Sequence, residues 1–227
     1  WYGEVDIIIE AIIEDMAIKK ASFKELEKHV KVEAIIASNT SSLSISEMAS
    51  SLKNPERFVG IHFFNPVNRM PLVEIIPGAK TNSKTVATAV SFAKKSGKTP
   101  IVVKDSPGFL VNRILIPYIN EAGYLLAEIQ DIERVDKVIA DFGMPMGPFT
   151  LADIVGIDVG YKVAKILEDA FGKRMKVSAL LESVYKKKIF GVKSGRGFYK
   201  YGGKSQEVNP EIAEFYQKQK NGFSDAE

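Results

Sequence analysis

The sequence predicts an α/β layer followed by an all-α region, and three observations carry that reading. Across residues 1–105, short β-branched runs alternate with amphipathic helical stretches, as strands and their covering helices do. From "DSPGFLVNRIL" onward the apolar spacing is almost entirely helical. No G-x-G-x-x-G turn occurs where a nucleotide-binding sheet usually carries one. Gly195 and Gly197 give G-x-G, but residue 200 is Lys and no strand precedes. The chain therefore reads as the C-terminal part of a doubly wound domain over residues 1–105. An all-α domain follows over 106–203, then a polar tail or linker over 204–227.

Each element has its own signal. "VDIIIEAI" (5–12) is a continuous β-branched run, expected of a strand covered on both faces of a parallel sheet. "EDMAIKKASFKELEKHV" (14–30) is an amphipathic helix anchored by Met16, Ile18, Phe23 and Leu26. His29 ends it among charges, a surface position where a cation is mildly favoured. "AIIAS" (34–38) is a second strand, "NTSS" (39–42) its polar exit, and "SISE" (44–47) a helix capping box. "RFVGIHFF" (57–64), "LVEII" (72–76) and "TPIVVKD" (99–105) read as strands, with a helix over 83–97 stopping at Gly97. Ser106-Pro107 supplies an N-cap and a first-turn proline for a helix over 107–128. Further helices are expected over 131–142, 149–169 and 176–188, and a weak one over 209–220. "GRGFYKYGG" (195–203) is irregular.

Composition bounds the function classes. The 227 residues are 45% hydrophobic and 26% charged, an ordinary globular balance. A net charge of +3, from 31 Lys+Arg against 28 Asp+Glu, is too even for a nucleic-acid surface. Cysteine is absent, which excludes disulfides and thiolate metal sites, fits a reducing, cytoplasmic compartment, and leaves no metal site indicated. No apolar run approaches the ~20 residues of a membrane span. The start lacks methionine and enters a strand almost at once, which reads as a piece of something longer.

The chemistry concentrates in "VGIHFFNPVNRMPLVEIIPG" (59–78), where His62 and Glu74 sit in apolar company. Histidine titrates near neutrality, and a carboxylate on its other ring nitrogen fixes the tautomer and stabilises the imidazolium. Ser41, after a strand, and Asn112, in the first helix beyond residue 105, could hold a substrate oxygen as neutral donors. Taken singly, each has a bland alternative: a structural histidine, an edge charge, a turn, a helix surface. The residues alone stop at an acid–base site.

"SNTSSLSISEMA", "GIHFFNPVNRMPLVEII", "VVKDSPGFLVNRIL", "FGMPMGPFTLADIVGIDVG" and "GRGFYKY" together resemble the L-3-hydroxyacyl-CoA dehydrogenase family, in order and spacing, over roughly residues 5–203. The helical motif is more similar to the dehydrogenase part of bifunctional or multifunctional fatty-acid oxidation proteins than to short single-function members. The resemblance implies a Rossmann-like domain with NAD as cofactor, and oxidation of (S)-3-hydroxyacyl-CoA to 3-ketoacyl-CoA. It implies that His62 is the catalytic base, Glu74 its orienting partner, Ser41 the serine near the substrate oxygen and nicotinamide, and Asn112 the donor to the substrate carbonyl. Ala11, Glu14, Lys19, Ser41 and Asn65 match positions that line the cofactor. The helical domain is implied to close over the acyl chain of an acyl-CoA substrate and to form a homodimer. A fused enoyl-CoA hydratase is a further implied partner.

The departure is the family's opening strand–GxGxxG–helix unit, with its ribose-binding acid and CoA-facing lysine, which these residues do not contain. A second reading is therefore a non-catalytic dimerisation and acyl-binding module. A third is a related β-hydroxyacid dehydrogenase with a lysine base, against which "HFFNP" followed by "LVEII" argues.

Overall fold

A computed structural model describes residues 4–202 and 207–220, with side chains to residue 216. The chain divides into two compact units, Trp1–Asn112 and Arg113–Glu227.

In the first unit β1 (Ile7–Glu10), β2 (Ile35–Ser38), β3 (Phe58–Phe63), β4 (Leu72–Pro77) and β5 (Thr99–Val102) form one sheet in that order. The sheet is mixed, not parallel throughout: β1, β2 and β3 are parallel, β4 runs antiparallel to β3, and β5 is parallel to β4. The eight residues 64–71 between β3 and β4 are too few for a covered crossover, so the chain reverses there. β1 lies at an edge and its isoleucines are only half-buried, whereas the parallel-sheet reading expects full cover.

The strands' period of two separates the cores. Ile36, Phe58 and Ile76 face one layer with Phe23 of α1 (Met16–Leu26) and with Ile45 and Met48 of α2 (Ile45–Ala49). Ile35, Ala37, Val59, Ile61, Val73 and Ile75 face the other with Ala89 and Ala93 of α3 (Ser83–Lys95). Ser44 caps α2 by accepting from Glu47 N–H, but the glutamate does not close the expected box: it pairs with Lys20 at 2.7 Å. Asp105 reinforces that end, accepting from the Ile45 and Ser46 amides.

α4 (Val111–Ile129) opens later than Ser106-Pro107 suggests. Gly108 and Phe109 take φ of 71° and 48°, so the chain makes a left-handed turn before the helix begins.

The second unit contains α5 (Ile132–Phe142), α6 (Pro148–Val155), α7 (Ile157–Phe171), α8 (Ala179–Lys186) and α9 (Ala213–Lys220). The single helix expected over 149–169 is two helices, broken at Gly156, whose φ of 97° ends α6. "GRGFYKY" forms part of a small ladder, β6 (Tyr199–Lys200) against β7 (Glu207–Val208). Within the expected polar tail, Ile212 is buried in the core of this unit, and Asn209 donates to Gly197 C=O at 2.9 Å. The rest of that tail, residues 204–206 and 221–227, lies outside the described residues.

Candidate active site

The antiparallel register places His62 directly opposite Glu74. Opposed residues on paired strands project to the same face with Cβ atoms about 5 Å apart. His62 Nδ1 meets Glu74 Oε2 at 2.7 Å, and both side chains are buried. The second carboxylate oxygen is held as firmly: Glu74 Oε1 accepts from the Leu110 and Val111 amides at 2.9 and 3.0 Å. The left-handed turn at Gly108 and Phe109 aims those amides, and the Phe109 ring lies 5.9 Å from the imidazole, with Phe64 at 4.5 Å on centroids. With Nδ1–H donated to Glu74, Nε2 is the imidazole's free nitrogen.

Ser41 is fixed through its backbone. Its N–H donates to Glu14 Oε1 at 2.9 Å, and its C=O accepts from Asn112 Nδ2 at the same distance. Glu14 Oε1 also accepts from Thr40 Oγ1 at 2.6 Å and from the Ser42 amide at 3.2 Å. Lys19, with 0% of its side chain exposed, lies 2.6 Å from Glu10 and 3.7 Å from Glu14. Asn39 Oδ1 accepts from Phe63 N–H, tying the exit of β2 to the end of β3.

Of the residues singled out from sequence, His62 and Glu74 form one contact pair, and Ser41, Asn112 and Glu14 form one hydrogen-bonded chain, which an ion pair at 3.7 Å extends to Lys19. Ala11 is exposed in the loop after β1, and Asn65 is exposed in the loop after β3, with a cis Asn65–Pro66 bond; neither joins these networks. Glu10 was missed by the sequence reading. Its only signal is a lone acid ending the "DIIIE" run. All of these groups gather at the carboxyl ends of β1, β2 and β3, where open α/β sheets bind ligands. Among the described residues, no helix is long and apolar enough to cross a membrane.

Comparison with known proteins identifies the family. Residues 2–106 match the family model described as 3-hydroxyacyl-CoA dehydrogenase, NAD binding domain, and residues 108–201 match that of the C-terminal domain. The fatty acid oxidation complex subunit alpha of Shewanella baltica is 50% identical over 205 residues, 90% of this chain and 29% of that protein. The chain thus spans about a third or less of the length of the curated relatives it matches. The crystal structure of the (S)-3-hydroxybutyryl-CoA dehydrogenase from Ralstonia eutropha superposes with a TM-score of 0.83 at 41% identity, covering 87% of this chain and 71% of that one. FadB2 of M. tuberculosis gives a TM-score of 0.85 at 38% identity, covering 88% and 72%. With both domain models matched in order and solved relatives covered over most of their length, the chain belongs to the 3-hydroxyacyl-CoA dehydrogenase family.

Proposed function

We propose that the chain carries the acid–base centre of an NAD-dependent dehydrogenase that oxidises (S)-3-hydroxyacyl-CoA to 3-ketoacyl-CoA. The observation that carries this reading is the buried His62–Glu74 pair, fixed on both carboxylate oxygens. His62 Nε2 takes the 3-hydroxyl proton, and Glu74 stabilises the imidazolium that results. Apolar neighbours exclude water and strengthen that coupling. The Ser41 hydroxyl and the Asn112 side chain stand beside the substrate oxygens, their backbone and amide bonds holding them in place.

The residues at the sheet's carboxyl edge fit one end of a dinucleotide. Glu14 and Ser41 offer polar groups there, while Ile12 and Ile13 of the same loop are exposed apolar surface. Bound NAD would supply the hydride acceptor for C3. Glu14, Lys19, Ser41, Ala11 and Asn65 are the residues proposed to hold it. Glycine-rich pyrophosphate donors are not among these 227 residues, and a longer parent chain is their proposed source. The name and length of the Shewanella relative support a fused partner activity, for which an enoyl-CoA hydratase is proposed. Phe142, 86% exposed, and Val138 one turn before it support a homodimer through the helical unit.

Calorimetry of NADH binding, with and without acetoacetyl-CoA, tests the reading, followed by NADH-dependent turnover of the chain and of its parent. Micromolar binding by the parent, and parent turnover that His62→Ala abolishes, are the expected results. A parent that turns over equally well after His62→Ala would overturn it.

A further inference from the structure

We propose that Glu10 is a positioning residue for the cofactor edge: it neutralises the buried Lys19 and so leaves Glu14 free to clamp the 40–42 turn. The inference rests on the function proposed above for its link to cofactor binding, and on geometry alone for the clamp.

Lys19 is a fully buried cation on α1, and a buried ammonium requires a close counter-charge. Two carboxylates are in reach, and they are not equivalent. Glu10, with 7% of its side chain exposed, stands 2.6 Å from Nζ; Glu14, with 37% exposed, stands at 3.7 Å. Glu10 is itself fixed by three donors: the Ser38 hydroxyl at 2.7 Å on one oxygen, and Lys19 with the Ile12 amide at 2.5 Å on the other. Ile12 C=O also faces Lys19 Nζ at 3.4 Å, so the ion pair holds both polar backbone groups of Ile12 in the loop after β1.

Glu14 spends its Oε1 elsewhere, on Thr40 Oγ1 and the Ser41 and Ser42 amides. A lysine without Glu10 would draw Glu14 inward, because the interaction of opposite charges rises steeply at low effective dielectric. The 40–42 turn would then lose its acceptor, and Ser41 with it. Glu10 bonds Ser38, Ile12 and Lys19, not Ser41; it acts through Lys19 and Glu14.

Amide hydrogen exchange on the full 227-residue chain, without ligand, reads the clamp directly. In Glu10→Gln the Ser41 and Ser42 amides should exchange about tenfold faster, while Val59 to Ile61 in central β3 keep their protection. The double variant Glu10→Gln with Lys19→Met removes both charges and should restore the Ser41 and Ser42 protection. A simple loss of packing would not be reversed by that second change. Where Glu10→Gln does not fold, Ser38→Ala takes one donor from Glu10 and should speed the same amides by about threefold. Unchanged protection in the variant that folds, or no recovery in the double variant, would overturn the proposal. In any chain or parent that binds NADH, Glu10→Gln should weaken that binding about tenfold and lower kcat with it, since the turn it loosens carries Ser41. Failure of the unsubstituted protein to bind NADH would count against the proposed function and leave the exchange result standing.

Discussion

Each unit buries a carboxylate that accepts two consecutive backbone amides, and the two differ in their last partner. Glu74 accepts from Leu110 and Val111 and then meets His62. Asp153 accepts from Phe198 and Tyr199 at 2.9 Å each and then meets the Tyr201 hydroxyl at 2.9 Å. An imidazole exchanges protons near neutrality. The Tyr201 phenol does not, because burial and the Asp153 charge push its titration far above the ordinary tyrosine range. A buried carboxylate with two amide donors is proposed as an acid–base device in one unit and is a staple in the other: Glu74 takes both amides on Oε1 and leaves Oε2 for His62, whereas Asp153 takes one amide on each oxygen. What separates them is the partner and how the oxygens are shared, not burial.

The largest break should come from His62→Ala, which removes the proposed proton acceptor and should lower kcat by about 10³-fold, or about 4 kcal/mol. NADH-dependent reduction of acetoacetyl-CoA measures it, and the fold should remain. Asp153→Ala should do the reverse. It leaves two amides and a phenol without an acceptor and costs about 3 kcal/mol of stability by urea unfolding. Gly197→Ala should act in the same direction, since a Cβ there would lie 1.9 Å from Asp153 Oδ1.

Glu74→Gln is subtler. The glutamine oxygen can still accept from Leu110 and Val111, but its amide would then face His62 Nδ1 as a donor. The proton would shift to Nε2, the nitrogen that must be free, and kcat should fall on the order of 10²-fold with stability kept. An unchanged kcat would remove Glu74 from the mechanism.

The smallest effect is a titration. Burial holds the Asp153 carboxyl up at about 6, against an ordinary 3.8. Its folded pKa is raised, so its contribution to stability is complete below 3.8 and is lost as pH rises to about 6. Relative to Asp153→Asn, the protein should lose about 1 kcal/mol per pH unit across that window and no more above it. The Asp153 carboxyl carbon resonance, followed by NMR, should move near pH 6 and not near 3.8.

The sequence made the acid–base pair legible, because an ionisable pair inside two strand-like runs is conspicuous. It did not make the direction of β4 legible, since period-two alternation is the same for parallel and antiparallel strands. Gly156 stayed hidden because "FTLADIVGIDVGYKV" keeps helical periodicity on both sides of the break, and a lone glycine is tolerated inside helices. The start of α4 was misread because Ser-Pro is a strong cap signal, while a phenylalanine at φ 48° is foreshadowed by nothing in residue type. Glu10 and Asp153 each read as one polar letter in an apolar word. Only the partners brought by distant segments give them meaning.

The eight-residue connection between β3 and β4 also bears on how the molecule assembles. His62 and Glu74 are twelve residues apart, whereas Asp153 and Phe198 are forty-five apart. Closing the longer loop costs about 1 kcal/mol more in chain entropy. The acid–base contact is therefore a local event, open to the nascent chain as soon as one hairpin zips. The staple must wait until most of the helical unit has been synthesised.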